Sequence, residues 1–325
     1  MSTNVSAKRP PEQKPGGRSS LASGSKSGRF GDRLFSGLSL TAGIVIFAIL
    51  LAVFLFLGAA SLEIFEIPGA SISGGEGFWA YVYPLILGTL MASVIALLIA
   101  TPLGVLVALY ISHFAPARIA KPVGYVIDLL AAIPSVVYGA WGMTVLAPAL
   151  VPLYNWLAEN FGWIPLFAGP ASNTGRTMLT AGLVLAIMIL PIITSMSREL
   201  FVQTPKLHEE ASLALGATRL EMIGQAVIPF ARAGIISSVM LALGRALGET
   251  MAVALVLSTG GLQWSMIRTG NNTIAAEIAL NYPEAFGSRF TELIAAGFML
   301  FIITLLVNLA ARAITSRYKE FSGAN

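Results

Sequence analysis

Residues 210–229 read EASLALGATRLEMIGQAVIP and lie between two long apolar runs of the chain. Gly216 stands where a helix C-terminus favours glycine, and Thr218 with Glu221 fits the capping box that opens a second helix. Upstream, Thr204 is placed to cap the first helix. The apolar residues of that first helix recur at helical spacing and form one stripe. They are Leu207, Ala211, Ala214 and Leu215. The pattern predicts two short helices that meet at a glycine hinge.

The composition of the chain is typical of a membrane protein. Of its 325 residues, 56% are hydrophobic and 11% are charged, and the mean hydropathy is +0.78. A soluble globular domain carries about 25% charged residues. The chain has no cysteine, which excludes disulfides and thiolate chemistry. Its two histidines, His113 and His208, are far apart in sequence, which argues against a histidine-based metal site.

Six apolar runs are long enough to cross a bilayer as helices. Three of them contain a proline, which membrane helices tolerate where neighbouring helices satisfy the freed backbone carbonyls. The six predicted spans are residues 38–60, 82–111, 123–147, 178–195, 233–257 and 293–311. The sequence therefore predicts an all-α membrane protein with six transmembrane helices.

The basic residues are distributed unevenly between the two ends of these spans. Sixteen of the twenty Lys and Arg residues fall on one side. The other side holds Arg176, Arg268 and Arg289, and Arg245 lies inside a span. Because positive charge concentrates on the cytoplasmic side of membrane proteins, both termini are predicted to be cytoplasmic. The net charge of +4 then reflects membrane orientation rather than nucleic-acid binding.

The segments outside the spans differ in character. Residues 1–33 are rich in Pro, Gly, Ser and basic residues and are predicted to be a disordered cytoplasmic tail. Residues 34–79 hold the first span and an outer loop, and residues 316–325 form a C-terminal cytoplasmic tail. The segment between the fourth and fifth spans, residues 198–232, is too long to be a simple connector. One interpretation of its two helices is an amphipathic pair that rests on the bilayer, and the other is a docking surface for a cytoplasmic partner.

Two ionisable side chains lie at the centre of the fifth span. A lone ion there costs about 2.5 to 3.5 kcal/mol, but residues four apart share one helical face, so Arg245 and Glu249 can offset one another. One interpretation is a buried pair that fixes helix packing. The other is an anion pathway, because a guanidinium presents paired donors that match phosphate oxygens. Asp128, in the third span, either pairs with a basic residue of a partner subunit or lies near the cytoplasmic surface.

Three segments carry a resemblance to a known family. Residues 210–229 resemble the coupling loop of importer-type ABC permeases, whose pattern is Glu-Ala-Ala, three residues, Gly, nine residues, Ile, one residue, Leu-Pro. Identity and spacing match at Glu210, Ala211, Gly216 and Pro229. GRALGETMAV, residues 244–253, and AAIPSVVYGAWG, residues 131–142, resemble the phosphate-specific transport permeases of the PstC type. The resemblance covers residues 80–315.

This resemblance implies a type I ABC importer permease architecture in a bacterial plasma membrane. It implies a permease subunit that forms half of the pathway of an ATP-driven phosphate importer. Glu210, Ala211 and Gly216 would couple it to a separate ATPase dimer of the PstB type. Its other partners would be a sister permease of the PstA type, an extracytoplasmic binding protein of the PstS type, and membrane lipid. The resemblance implies no directly bound cofactor and no catalytic residue, because ATP is used by the partner subunit.

Three alternatives stay open. An ABC permease for another oxyanion, such as sulfate or molybdate, would share the coupling loop. An ATPase-independent secondary anion transporter would need no ATPase. A membrane-embedded enzyme is disfavoured, because the chain lacks an H-E-x-x-H pair, any cysteine and a G-x-S-x-G motif.

Overall fold

The computed structural model describes residues 26–258 and 260–319. All of the regular secondary structure in that part is helical. Residues 1–25 and 320–325 of the predicted tails lie outside the described residues. The rest of both tails is helical, because the first helix already begins at Lys26 and the last continues to Lys319. The chain divides into two units, residues 1–53 and 54–325.

The described helices follow one another with short connections. They are α1 (Lys26–Leu62), α2 (Phe78–Leu109), α3 (Ala117–Ala131), α4 (Ser135–Trp141), α5 (Ala147–Phe161), α6 (Met178–Val202), α7 (Lys206–Ala214), α8 (Arg219–Met222), α9 (Ile228–Leu247), α10 (Met251–Val256), α11 (Ile274–Asn281) and α12 (Ser288–Lys319). Three π-helical turns continue α2, link α4 to α5 and link α8 to α9. They are Tyr110–Phe114, Gly142–Leu146 and Ile223–Val227.

Six helical segments of the described part are long and apolar enough to cross a membrane, which confirms the predicted number. We number them spans 1 to 6 in chain order. They are Leu34–Phe65, Phe78–Phe114, Ser135–Phe161, Met178–Val202, Arg219–Leu247 and Ser288–Ala313. The chain is therefore a multi-pass membrane protein.

The predicted third span is wrong in its boundaries. Residues 123–147 are not one helix, because α3 ends at Ala131 and α4 starts at Ser135. Pro134 between them has extended backbone, with φ −57° and ψ 138°. A proline also disfavours the helical conformation of the residue before it, so the chain breaks here. Span 3 starts after this break, and α3 is a separate amphipathic helix.

Span 4 is the most buried of the six, and it packs most extensively against span 2. Small residues allow the two backbones to approach. Gly182 in span 4 lies against Ile95, and Gly104 in span 2 lies against Ile193. Lipid is as apolar as the side chains, so helices in a membrane associate mainly through this close packing.

Two smaller apolar clusters close the two ends of this helical bundle. At one end, Ile64 at the end of span 1 and Ile72 of the first outer loop pack with Ile274 of α11 and Ala296 of span 6. At the other end, the start of span 5 packs on the ends of spans 2 and 4. The buried residues of this second cluster are Ala108, Leu109, Phe201, Met222, Ile223, Val227 and Ala231. The second cluster therefore seats the predicted coupling segment on the membrane helices.

Candidate functional site

The predicted fifth span is interrupted at its centre. The helix α9 ends at Leu247, and α10 begins at Met251. Within the break, the Thr250 hydroxyl donates to the Gly248 carbonyl at 3.1 Å. The Ala252 N–H donates to the Glu249 carboxylate at 3.2 Å. Glu249 thus satisfies a backbone donor in the first turn of α10.

The predicted pairing of Arg245 with Glu249 on one helical face is wrong. Residues four apart face each other only along an uninterrupted helix, and the chain leaves the helix between these two. None of the ion pairs among the described residues joins them. The Arg245 side chain is exposed in the last turn of α9, beside the exposed Leu241 and Gly248. Arg245 is therefore a cation in the last turn of span 5, on a helix face that the described part of the chain leaves exposed.

Two neighbouring parts of the chain contact α10, the helix that follows the break. The helix α4 approaches α10 so closely that a Cβ on Gly139 would lie 2.7 Å from the Ala252 Cα. Arg176 donates from Nη2 to the carbonyls of Leu255 and Leu257, at 3.1 and 2.6 Å, where α10 ends. This role of Arg176 could not be predicted from the sequence, because its partners are backbone carbonyls far away in the chain.

Asp128 lies on α3 and faces the end of span 4. Its Oδ2 is 3.9 Å from the Nη2 of Arg198, one of the basic residues of the predicted cytoplasmic side. This pairing within the chain was not predicted. Both side chains are partly exposed, so the attraction is weak. They border a cleft of about 880 Å³, together with Ser112, Lys121, Ser195 and Glu199.

The predicted pair of short helices is present as α7 and α8. Gly216 between them has φ +91°, a left-handed conformation that glycine adopts without penalty. The capping box is confirmed, with Glu221 N–H donating to the Thr218 hydroxyl at 3.3 Å and Thr218 N–H donating to the Glu221 carboxylate at 2.7 Å. The predicted Thr204 cap is wrong. Pro205 occupies the cap position, and the Thr204 hydroxyl is buried without a hydrogen-bond partner among the described residues.

The predicted coupling residues lie on an open surface. No residue of α7 is buried, and Glu210, Ala211 and Gly216 are all exposed. The apolar stripe is uncovered as well, since Leu207 is 75% and Leu215 is 91% exposed. Apolar side chains that a chain leaves exposed at this scale mark an interaction surface.

A polar cluster at the opposite end of the molecule was not predicted. Arg289 donates to Glu277 at 2.5 Å and to Glu292 at 2.7 Å. Ser73 of the first outer loop donates its backbone N–H and its hydroxyl to Glu292. Glu292 is 1% exposed, so its charge depends on these partners. The cluster fastens the outer loop to α11 and α12. Among the described residues, no group of three His, Cys, Asp or Glu side chains could hold a metal ion.

Comparison with known proteins assigns the family. Residues 100–320 match the binding-protein-dependent transport system inner membrane components. The chain belongs to this family. It is an ABC permease, a transport subunit and not an enzyme, and the family match accounts for the resemblance carried by residues 210–229.

Similar proteins extend this result over most of the chain. The phosphate transport system permease protein PstC 2 of Mycobacterium tuberculosis is 43% identical over 304 residues, covering 88% of this chain and 92% of that protein. PstC of Mesorhizobium japonicum is 38% identical over 308 residues, covering 90% and 92%. The solved bacterial alginate ABC transporter, in complex with an alginate pentasaccharide-bound periplasmic protein, aligns with a TM-score of 0.53 at 20% identity. That alignment covers 89% of this chain and 98% of the other, and it confirms the ABC importer permease fold.

Proposed function

We propose that this permease is a subunit of an ATP-driven phosphate importer and forms half of the translocation pathway. The observation that carries the proposal is the similarity to phosphate transport permeases over about nine-tenths of both chains. The proposed partners are a sister permease of the PstA type, a separate ATPase dimer of the PstB type and an extracytoplasmic phosphate-binding protein of the PstS type. The proposed location is the bacterial plasma membrane, with both termini in the cytoplasm, as the distribution of basic residues favours.

Arg245 is the proposed anion contact of the pathway. It is a permanent cation inside span 5, and among the described residues no carboxylate lies within 4.0 Å of its guanidinium nitrogens. A guanidinium in a low-dielectric site binds phosphate oxygens through charge-assisted hydrogen bonds. Glu249 does not neutralise Arg245. Its role in the pathway is to accept a hydrogen bond from the Ala252 N–H and so to stabilise the helix break.

Discontinuous membrane helices support this location for the pathway. In transporters, helices that break near the middle of the membrane commonly form the substrate site. Here the break between α9 and α10 directly follows the last residue of span 5, and α10 packs against α4, which itself follows the break at Pro134. Asp128 is a weaker candidate, because it lies in the cleft beside Arg198 rather than near this break.

The exposed face of α7 is the proposed contact with the ATPase. Its apolar stripe fits the mode in which a short helix lays one face into a groove of its partner. Glu210 and Ala211 lie on this helix, and Gly216 sets the turn that follows it. Movement of the ATPase dimer would then reach the pathway through α7 and the start of span 5.

The test is transport by the complex copurified with its neighbouring subunits and reconstituted in liposomes. ATP-dependent uptake of radiolabelled phosphate is expected, with sulfate and molybdate as competitors. Arg245→Gln is expected to abolish uptake at normal membrane levels, because the anion loses its main attraction. Arg118→Gln, which changes an exposed arginine of α3, is the matched control and should retain uptake.

Three results would contradict the proposal. Transport that is inhibited by added sulfate or molybdate but not by added unlabelled phosphate would assign another oxyanion as the substrate. Uptake without a copurified ATPase would assign a secondary transporter. Normal phosphate uptake by Arg245→Gln would remove this residue from the pathway.

A further inference from the structure

One ion pair joins the coupling helix to a membrane helix. His113 lies in the π-helical turn that ends span 2, and Glu209 lies on α7. The His113 Nε2 is 3.5 Å from the Glu209 Oε1, and the two side chains are only 11% and 23% exposed. The residues are 96 positions apart in sequence, so this contact exists only in the folded chain.

Polar partners lie on both sides of the ring. The Ser112 hydroxyl oxygen lies 2.7 Å from the His113 Nδ1 and 3.2 Å from the Leu109 carbonyl oxygen. On the other side, Nε2 faces the Glu209 carboxylate, which only accepts. A hydrogen on Nε2 is therefore directed at Glu209, while Ser112 holds the opposite side of the ring.

The ring is also held in place by packing. Its edge contacts Phe201 of span 4 in a T-shaped arrangement, with the ring centroids 6.4 Å apart. Phe201 belongs to the buried cluster on which the start of span 5 rests. Packing against Phe201 therefore holds His113 in place independently of its contact with α7.

The pair is one of two polar side-chain contacts that the described residues of α7 make with the membrane helices. The other joins the Ser212 hydroxyl to Gln225, at 3.4 Å, and Gln225 lies in the segment that directly continues the coupling loop. The rest of α7 is open. The Glu209 contact is thus the polar link from α7 to span 2, which packs along the most buried span of the protein.

We propose that His113 is a positioning residue that fixes α7 to span 2 through Glu209 and transmits the displacement of α7 to the pathway. The inference rests on the proposed function, because it assigns α7 to the ATPase contact. It goes further by naming a second route of coupling, through span 2, beside the direct connection into span 5.

Other charged groups surround this contact. The helix α3 carries Arg118, Lys121 and Asp128, and span 4 carries Arg198 and Glu199; all but Arg118 line the cleft that Ser112 borders. On α7, Lys206, His208 and Glu210 are exposed. The two cations and two carboxylates of the cleft balance one another, and Glu209 is the described carboxylate within 4.0 Å of the His113 ring.

The first experiment compares variants of the assembled complex in proteoliposomes. Phosphate transported per ATP hydrolysed is measured for wild type, His113→Gln, Glu209→Gln and His113→Lys. Both glutamine variants are expected to lower this ratio about tenfold, the size expected for a hydrogen bond to a charged group. His113→Lys, which places a cation opposite Glu209, is expected to keep the ratio. Glu159→Gln, at an exposed glutamate of α5, is the matched control.

The second experiment does not depend on the transported substrate. Hydrogen exchange of residues 206–214 is measured in the ATP-free complex. Both glutamine variants should speed exchange about tenfold, whereas Glu159→Gln should not change it. Wild-type exchange and a wild-type transport ratio in both glutamine variants would overturn the inference. If the wild-type complex fails to transport phosphate, the proposed function fails, and the exchange data alone decide whether the pair holds α7.

Discussion

At the scale of residues, two arginines illustrate two environments for a charged side chain. Arg289 lies among partners of its own chain, with two glutamates and Ser73 within hydrogen-bond distance. Arg245 has no such carboxylate among the described residues and faces outward. A charge inside a membrane persists when it is paired or when a function requires it. The contrast supports a structural role for Arg289 and a ligand-binding role for Arg245.

Removing Arg289 is expected to destabilise the protein. Arg289→Met leaves two carboxylates without their cation, and breaking a buried pair in this way costs about 3 to 5 kcal/mol. The midpoint of thermal unfolding in detergent should fall clearly. Neutralising the carboxylates in the same chain, with Glu277→Gln and Glu292→Gln, should recover part of the loss. An unchanged midpoint in Arg289→Met would mean that the cluster contributes little to stability.

At the scale of elements, the informative features are the ends of helices rather than their lengths. The break at Pro134 precedes α4 and the break at Gly248 precedes α10, and Gly139 lets these two helices touch. In the coupling segment, Gly216 and the capping box fix the angle between α7 and α8. These ends expose backbone groups and side chains that a continuous helix would use internally.

The turn at Gly216 is expected to be essential for coupling. Gly216→Val places a branched side chain at φ +91°, which a residue with a Cβ rarely adopts. The membrane helices should still assemble, but the face of α7 should no longer meet the ATPase, so ATP-driven uptake should fall at least tenfold. Gly224→Val is the matched control, since Gly224 is also exposed with open space around it and has no positive φ. Equal uptake by the two variants would argue against α7 as the docking helix.

At the scale of the whole molecule, two uncovered surfaces indicate where partner subunits would bind. Within residues 54–325, the face of α9 around Arg245 and most of α7 are uncovered. In the proposed importer, the first faces the sister permease across the pathway and the second faces the ATPase. Two copies of this chain would bring two unpaired Arg245 side chains to one pathway, where their repulsion in a low dielectric is large.

A working homodimer is therefore not expected. Native mass spectrometry of the complex purified from the membrane should find one copy of this chain with one sister permease and two ATPase subunits. Expression of this chain with the ATPase alone should give no phosphate uptake. A particle with two copies of this chain, no sister permease and full transport would refute this arrangement.

The sequence by itself determined the number of spans, the two helices of the coupling segment, the capping box and the turn at Gly216. All of these depend on local periodicity or on hydrogen bonds between residues a few positions apart, so the pattern of residue types is sufficient to predict them. The motif of residues 210–229 gave the family for the same reason, because its spacing is local.

Only the tertiary structure decided how charged and polar residues pair. It separated Glu249 from Arg245, joined Asp128 to Arg198 and His113 to Glu209, and gathered the cluster around Arg289. It also buried Thr204 instead of using it as a helix cap. The separation of Glu249 from Arg245 follows from the helix break. The other outcomes depend on which helices pack together. Packing is set by the close fit of small residues across the whole bundle, which no single segment of the sequence contains.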